Sequence, residues 1–314
     1  MNNEFSFSGL IKVIGRNRKV LIVLTIVSAI LGAIFSGPQF IRPKYKSVAV
    51  VYPVNIFPYS IESETEQMMQ VFNASEIRDY IIDKYNLYKH WDIKMDNKKA
   101  RYYMLKTYEE NITINKTNFE SAIVNVMDYS PDTAKLIVDD ILIQFNLKAR
   151  ALAQDKSKEF LNMAEEALAY RKNKIDSLAI ELDSLRTDKD ILDYDLQTQE
   201  VTQGFYRMLA NGKGGNQIEE AKSLLDNLKE HGGKYREINI LMDHYLVDFS
   251  KWTIKRNEYY NDSHKRITYL NIVEKPEVPV KKSYPVRWVI LLSVVMGTLL
   301  FAIVVLSLFQ KDNF

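Results

Sequence analysis

The sequence predicts an α+β membrane protein in which two transmembrane helices flank an extracytoplasmic α/β platform that carries a long helical (coiled-coil) hairpin. Three patterns predict this fold class. An uncharged apolar run lies near each end, short β-rich segments adjoin both runs, and leucines recur between them at alternating spacings of three and four. With 46% hydrophobic and 26% charged residues, the 314-residue chain has the composition of a protein that buries a core.

The apolar runs at 20–41 and 288–309 carry no charge and reach the roughly 20 residues that a helix needs to cross a bilayer. The first run is longer than the apolar part of a cleaved signal peptide, which favours an anchor over a removed leader. Basic residues before it favour a cytoplasmic N-terminus, whereas basic residues before the second run favour the opposite orientation. Because long domains are translocated largely regardless of charge, we expect both termini to be cytoplasmic.

Between these runs the chain is predicted to start as a mixed α/β segment. Lys44–Tyr52 is rich in β-branched and aromatic residues, 62–88 has helical spacing, and 112–127 alternates as a β-hairpin. A last strand is predicted over Arg266–Val273, where it can pair with the first. The predicted parts are a cytoplasmic amphipathic lead (1–19), the first transmembrane helix (20–41), a membrane-proximal α/β part (42–130), a long helical hairpin (131–265), a strand with a proline-rich connector (266–287), the second transmembrane helix (288–309) and a cytoplasmic tail (310–314).

The helical hairpin is predicted from a helix start and a glycine-rich turn. Pro131 suits the first turn of a helix that can continue to Gln203, 210–216 forms the turn, and 231–233 is predicted to break the return helix. Apolar residues along the outgoing helix predict a seam that faces the return helix or a neighbouring subunit. The helical-arm seam consists of Leu168, Ile175, Leu178, Leu182 and Leu185, and Leu161, Leu192 and Leu196 extend the same spacing.

Composition and motifs argue against several classes of function. A net charge of +2 gives no basic excess for binding nucleic acid, and the chain has no cysteine. Its four histidines lack the spacing of a metal site, and the glycine-rich turn lacks the strand and the GKS or GKT ending of a nucleotide loop. We therefore predict no catalytic, cofactor-binding or metal-binding residues, and we assign the carboxylates at 188–195 to an exposed helix face.

Two further patterns concern local chemistry. Pro276, Pro279 and Pro285 restrict the backbone before the second membrane run, so Val273–Tyr284 is predicted to be an extended, stiff connector.

Thr133, Ser177 and Ser184 each follow an aspartate and precede an apolar residue, a pattern similar to the acceptor used in periplasmic O-glycosylation. A helical backbone is a poor acceptor for this modification.

Three segments resemble a known family. They are FSGLIKVIGRNRK at 7–19, KYKSVAVVYPV at 44–54 and KPEVPVKKSYPVRW at 275–288. These are similar to the amphipathic lead, the first strand and the proline-rich entry to the last span of the polysaccharide co-polymerases, or Wzz-type chain-length determinants. Tyr284 departs from the serine or alanine usual near the final proline. The fused cytoplasmic kinase of some members is not expected after Phe314, so tyrosine-kinase activity would need a separate protein.

The resemblance implies a bacterial inner-membrane homo-oligomer whose periplasmic domains form a ring. It implies a non-catalytic regulator of the chain length or export of a surface polysaccharide, such as O-antigen, capsule or exopolysaccharide. The implied partners are further copies of the chain, membrane lipid, a polysaccharide polymerase or outer-membrane exporter, and a separate cytoplasmic tyrosine kinase. The residues alone also leave open a periplasmic adaptor or tether subunit of another cell-envelope transport machine.

Overall fold

The computed structural model describes residues 14–94, 98–212 and 215–309. The chain divides into two compact units, one formed by Met1–Ala149 with Thr268–Phe314 and the other by Arg150–Ile267. Most of the predicted cytoplasmic lead (1–13) and the whole predicted tail (310–314) lie outside the described residues.

The described helices and strands follow the predicted order. The helices are α1 (Arg18–Phe35), α2 (Glu64–Phe72), α3 (Ser75–Lys84), α4 (Leu87–His90), α5 (Ala100–Asn111), α6 (Pro131–Lys189), α7 (Tyr194–Ala210), α8 (Asn216–His264) and α9 (Arg287–Phe309). The strands are β1 (Lys44–Pro53), β2 (Ile112–Lys116), β3 (Ala122–Asp128), β4 (Leu270–Glu274) and β5 (Lys282–Tyr284). Helix α6 belongs to the first unit as far as Ala149 and to the second unit from Arg150.

An antiparallel sheet organises the first unit, with strand order β2-β3-β1-β4 and with β5 also paired to β1. Opposite β3, Ser47 pairs with Val126 and Ala49 pairs with Val124. These four residues are buried, and their sequence neighbours on both strands are less so, as expected for a sheet with one face covered. The predicted pairing of the first and last long strands is confirmed, although β4 begins at Leu270 rather than at Arg266.

Helices α2 to α6 supply the apolar side chains that cover this face. Phe145 of α6 is fully buried and stacks on Phe72 of α2, with their ring centroids 4.2 Å apart. Ser63 starts α2 with a reciprocal capping box to Glu66. The other fully buried side chains of this core include Met68, Ile81, Ile82, Leu87, Met104, Ile137 and Ile141.

Two helices of the first unit, α1 and α9, are long and apolar enough to cross a membrane. Helix α1 ends at Phe35 rather than continuing to Ile41, because Gly37 and Pro38 follow its C-cap residue and the residue before a proline disfavours helical backbone. The two helices contact each other. A Cβ atom added at Gly32 of α1 would lie 3.6 Å from the Cα atom of Leu291 in α9, an ordinary van der Waals distance, so the two backbones lie close together at this position.

The second unit is an antiparallel helical hairpin, as predicted. Phe160 of α6 stacks on Tyr259 of α8, and Arg171 forms an ion pair with Asp248. Further along, Glu181 of α6 forms an ion pair with Lys234. Along these three contacts the residue numbers rise on α6 and fall on α8, so the two helices are antiparallel.

Two details of the hairpin prediction are wrong. The outgoing helix does not continue to Gln203, because it ends at Lys189 and a new helix begins at Tyr194 after Asp190 adopts a positive φ of 53°. The return helix is not broken at 231–233, because α8 runs through both glycines. Gly232 is required there for packing, since an added Cβ atom would lie 1.9 Å from the Tyr194 ring.

Candidate functional site

The connector, defined as residues 275–281, leaves β4 and returns the chain to β5, and both strands pair with β1. The start of β1 pairs with Tyr284, three residues before α9 begins at Arg287. The Ser47 hydroxyl donates a hydrogen bond to the Glu277 carbonyl oxygen at 2.9 Å, which holds the connector against the middle of β1. Strand β1, which follows α1, therefore pairs with the segment that leads into α9.

The three prolines occupy different positions along this path. Pro276 and Pro285 are buried, and Pro279 is half-buried. The backbone from 275 to 281 is neither helix nor strand, and α9 starts only after Pro285. A proline has a restricted φ and restricts the residue before it, so this backbone cannot readily continue α9 outward. That the prolines transmit a position to the membrane helix stays a prediction.

A buried carboxylate joins the elements at the same end of the sheet. Asp128, the last residue of β3, accepts hydrogen bonds from Trp91 Nε1 at 2.9 Å and from His90 Nε2 at 2.8 Å. Asp128 also accepts a hydrogen bond from the backbone N–H of Ser130 at 2.8 Å, and Ser130 directly precedes α6. Burial lowers the pKa of nearby Lys44, opposed by the negative charges of Glu110 and Asp128. This cluster fixes α4, β3 and the start of α6 relative to β1.

A second polar cluster lies where α3 ends beside α6. Asp140 of α6 accepts a hydrogen bond from the Tyr85 hydroxyl at 2.5 Å and forms an ion pair with Lys84 at 2.6 Å. Burial, followed by the hydrogen bond to Asp140, raises the pKa of the Tyr85 hydroxyl. These side chains line a cleft of about 560 Å³, together with Leu136, Ile143, Leu270 and Ile272.

Neither polar cluster is marked by a sequence motif. Asp128 and Asp140 are ordinary carboxylates at a strand end and within a helix, and their partners come from other elements. A single sequence carries no signal that would identify such long-range hydrogen bonds. By contrast, Asp188, Asp190, Asp193 and Asp195 are all exposed, although Asp190 and Asp193 lie in the break between α6 and α7 and not on the predicted helix face.

The predicted helical-arm seam is present in part. Leu182 and Leu185 are buried, while Leu168, Ile175 and Leu178 are half-buried. Leu192 and Leu196 are exposed, because helix α6 ends at Lys189 and the predicted spacing is interrupted before these positions. Ile191 enters the cluster instead. The buried cluster consists of Leu182, Leu185, Ile191, Leu228, Tyr235 and Ile238.

The three predicted acceptor residues are all helical. Thr133 lies in the first turn of α6 and is half-buried, whereas Ser177 and Ser184 are exposed within the same helix. The Ser184 hydroxyl donates a hydrogen bond to Asp188 at 2.9 Å. Their modification stays a prediction.

Residues 3–113 of the chain match the model of the chain length determinant protein (Wzz) family. This match confirms the family resemblance for the first third of the chain, which contains α1, β1 and α2 to α5. No curated protein matches the chain.

Solved structures with a similar chain course are distant in sequence. A full-length bacterial polysaccharide co-polymerase is 14% identical over 98% of both chains, with a TM-score of 0.44. The wild-type lipopolysaccharide O-antigen chain-length regulator of Shigella flexneri is 14% identical over 76% of this chain and 100% of its own, with a TM-score of 0.30. A Wzz dodecamer fitted to a cryo-electron-microscopy map is 12% identical over 76% of this chain and 99% of its own, with a TM-score of 0.29. Likeness at these TM-scores supports no argument about function.

Proposed function

We propose that this chain is a polysaccharide co-polymerase of the Wzz type, a non-catalytic regulator of the chain length or export of a surface polysaccharide. The observation that carries the proposal is the match of residues 3–113 to the chain length determinant family. The attachment of both apolar helices to one strand, β1, supports a scaffold role, because it ties the membrane helices to the sheet. The partners under this proposal are further copies of the chain, membrane lipid and a polysaccharide polymerase or exporter.

Under this proposal the protein lies in the bacterial inner membrane with both termini in the cytoplasm. Helices α1 and α9 span the bilayer, and the residues between them lie in the periplasm. Reporter fusions at residues 3 and 312 test this topology. A cytoplasmic signal is expected from both fusions, and a periplasmic signal from either one overturns it.

The connector couples the sheet to the membrane in this scheme. Residues 275–281 run between two strands that both pair with β1, so a displacement of the sheet moves the start of α9. The prolines reduce the number of backbone states that could absorb such a displacement. A separate cytoplasmic tyrosine kinase, where the host has one, would meet the protein at its termini.

The decisive experiment is deletion of the gene in its own host, followed by electrophoresis of the surface polysaccharide. We expect the modal chain-length distribution to be lost and to return when the intact chain is supplied. An unchanged distribution and an unchanged amount of polysaccharide overturn the proposal. Loss of a different envelope process with normal polysaccharide would instead support an adaptor or tether subunit.

Thr133, Ser177 and Ser184 are proposed as acceptors for periplasmic O-glycosylation in hosts that use the Asp-Ser/Thr-apolar pattern. Ser177 and Ser184 are the exposed members of the three. The intact mass of the protein purified from its own host is expected to exceed that of the bare polypeptide. A mass equal to the bare polypeptide overturns this assignment without affecting the proposed regulator function.

A further inference from the structure

Two of the helices that cover the sheet of the first unit lie toward its opposite sides. Helix α5 packs on β2 and β3, where β2 is the edge strand. Helix α6 lies beside β4, the strand at the other end of the order, because Asn146 of α6 accepts a hydrogen bond from the Tyr269 backbone N–H at 2.8 Å. We define the α5 flank as Tyr102, Tyr103, Lys106 and Glu110, and the α6 flank as Lys135, Leu136, Asp139 and Ile143.

Both flanks expose apolar surface on helices that are fully buried on their other side. On α5, Tyr102 is 62% exposed while Met104 is 0% exposed. On α6, Ile143 is 53% exposed while Ile141 is 0% exposed. Large aromatic and aliphatic side chains held on rigid helices are typical of surfaces that bind another protein.

Each flank also carries an ion pair at i,i+4 spacing. Lys106 and Glu110 are 4.0 Å apart on α5, and Lys135 and Asp139 are 2.5 Å apart on α6. All four side chains are at least one-third exposed. A pair of this kind on a helix surface contributes little to stability, so its charges can interact with a new partner at small cost.

The two ion pairs point in opposite directions relative to the sheet. Helix α5 ends where β2 begins, and α6 begins three residues after β3 ends. Because Ile112 pairs with Val126, these ends lie at the same end of the sheet. Glu110 and Lys135 are therefore nearer this end, and Lys106 and Asp139 lie one helical turn, about 6 Å, further away.

We propose that two copies of the chain associate head to tail, with the α5 flank of one copy packed against the α6 flank of the next. This rests on the proposed function as an oligomeric scaffold and assigns the surfaces that build it. Lys106 of one copy then faces Asp139 of the next, and Glu110 faces Lys135. Tyr102 and Tyr103 cover Leu136 and Ile143. Because the contact uses two different surfaces, it repeats from copy to copy, and it closes as a ring when the rotation between neighbours divides a full turn.

Anchoring in one bilayer disfavours the simple two-fold alternative. Copies in the same membrane are related by an axis along the membrane normal, which keeps every residue at its own height. A contact between two α5 flanks would then set Lys106 against Lys106 and Glu110 against Glu110, and two α6 flanks would likewise oppose equal charges. Like charges that face each other disfavour these contacts, whereas the head-to-tail contact matches opposite charges at each height.

Cysteine cross-linking tests the contact directly, because the chain has no cysteine of its own. The full-length protein carrying Tyr102→Cys with Ile143→Cys is treated in membranes with a short bis-maleimide. We expect a ladder of dimers, trimers and larger species, since each copy links to two neighbours. Each single variant should stay monomeric on the denaturing gel. A matched control pairs Tyr102→Cys with Phe119→Cys, which is 79% exposed at the tip of the β2–β3 hairpin and should form no ladder.

A charge swap provides the second test. Lys106→Glu with Glu110→Lys keeps an i,i+4 pair on α5 but reverses its direction, so the cross-linked ladder should be lost. Adding Lys135→Glu with Asp139→Lys reverses the facing pair and should restore it. The control swap, Lys172→Asp with Asp176→Lys, changes an exposed i,i+4 pair of the second unit and should leave the ladder unchanged.

The outcomes of these tests distinguish a wrong flank assignment from a wrong proposed function. An oligomer seen by native mass spectrometry without any ladder, or a cross-linked dimer from either single cysteine variant, overturns the flank assignment and leaves the regulator proposal standing. A ladder that survives the α5 charge swap also overturns it. A chain that is monomeric in native mass spectrometry and yields no cross-link removes the oligomeric scaffold altogether.

Discussion

In the first unit, the buried side chains come from the sheet and from five helices, whereas in the second unit the large buried side chains form one cluster between α6, α7 and α8. The first core depends on residues far apart in the sequence, such as Phe72 and Phe145. Away from its cluster, the second unit is joined by partly exposed ring contacts and ion pairs, including Phe160 with Tyr259. Exposed ion pairs contribute little, so the stability of the hairpin is concentrated where α6 ends.

The comparison predicts that the largest single loss of stability follows from a change in the first core. Phe145→Ala removes a fully buried ring that stacks on Phe72, at a cost of about 3–5 kcal/mol in the free energy of unfolding. Thermal unfolding of the detergent-solubilised chain measures it. The control is Leu147→Ala, two residues away on the exposed side of α6 and outside the α6 flank, with an expected cost below about 1 kcal/mol. Equal costs for the two variants would contradict the described core.

The hairpin cluster should respond strongly but locally. Ile191→Ala removes a side chain that is 0% exposed and should cost about 2–4 kcal/mol, because it leaves a cavity between three helices. Hydrogen exchange should rise over 182–242 and stay unchanged in the sheet. Its neighbour Leu192 is 66% exposed, so Leu192→Ala should change neither region. If Leu192→Ala is the more damaging of the two, the continuous leucine seam expected from the sequence is correct after all.

Two adjacent glycines allow a finer test of the same region. Gly232→Ala places a Cβ atom 1.9 Å from the Tyr194 ring and should destabilise the hairpin by about 1–3 kcal/mol as the ring is displaced. Gly233 has no atom within 4 Å of an added Cβ atom, so Gly233→Ala should stabilise α8 by about 0.5–1 kcal/mol through helix propensity. The sign of each change is read from thermal unfolding. A gain at both positions would show that Tyr194 does not pack on Gly232.

The smallest effect on stability is expected in the connector. Changing Pro276, Pro279 and Pro285 together to alanine alters no charge and leaves the apolar span of α9 intact, so membrane insertion and abundance should be retained. Under the proposed function, the modal length of the polysaccharide should nevertheless be lost, because the connector gains backbone states. Gel profiles of the surface polysaccharide measure this. Normal length control in the triple variant would reduce the connector to a spacer.

The sequence was informative wherever a short segment carries its own periodicity. The strands β1, β2 and β3 lie within a residue or two of the predicted segments, because alternation of apolar residues reflects one covered face. The hairpin turn was found from its glycines, since α7 ends at Ala210 and α8 begins at Asn216. The same rule failed at Gly232, because a glycine signals either a turn or a close contact, and only the position of Tyr194 distinguishes them.

By itself the sequence determined the two apolar spans, the alternation of the strands, the helical hairpin and the non-helical connector, because these depend on neighbours within a few residues. Only the tertiary structure decided that α6 ends at Lys189, that Ile191 is buried instead of Leu192, and that Asp128 holds His90 and Trp91. The burial of a side chain or the partner of a carboxylate depends on elements distant in the chain. Their free energy comes from packing and desolvation, which no local pattern encodes.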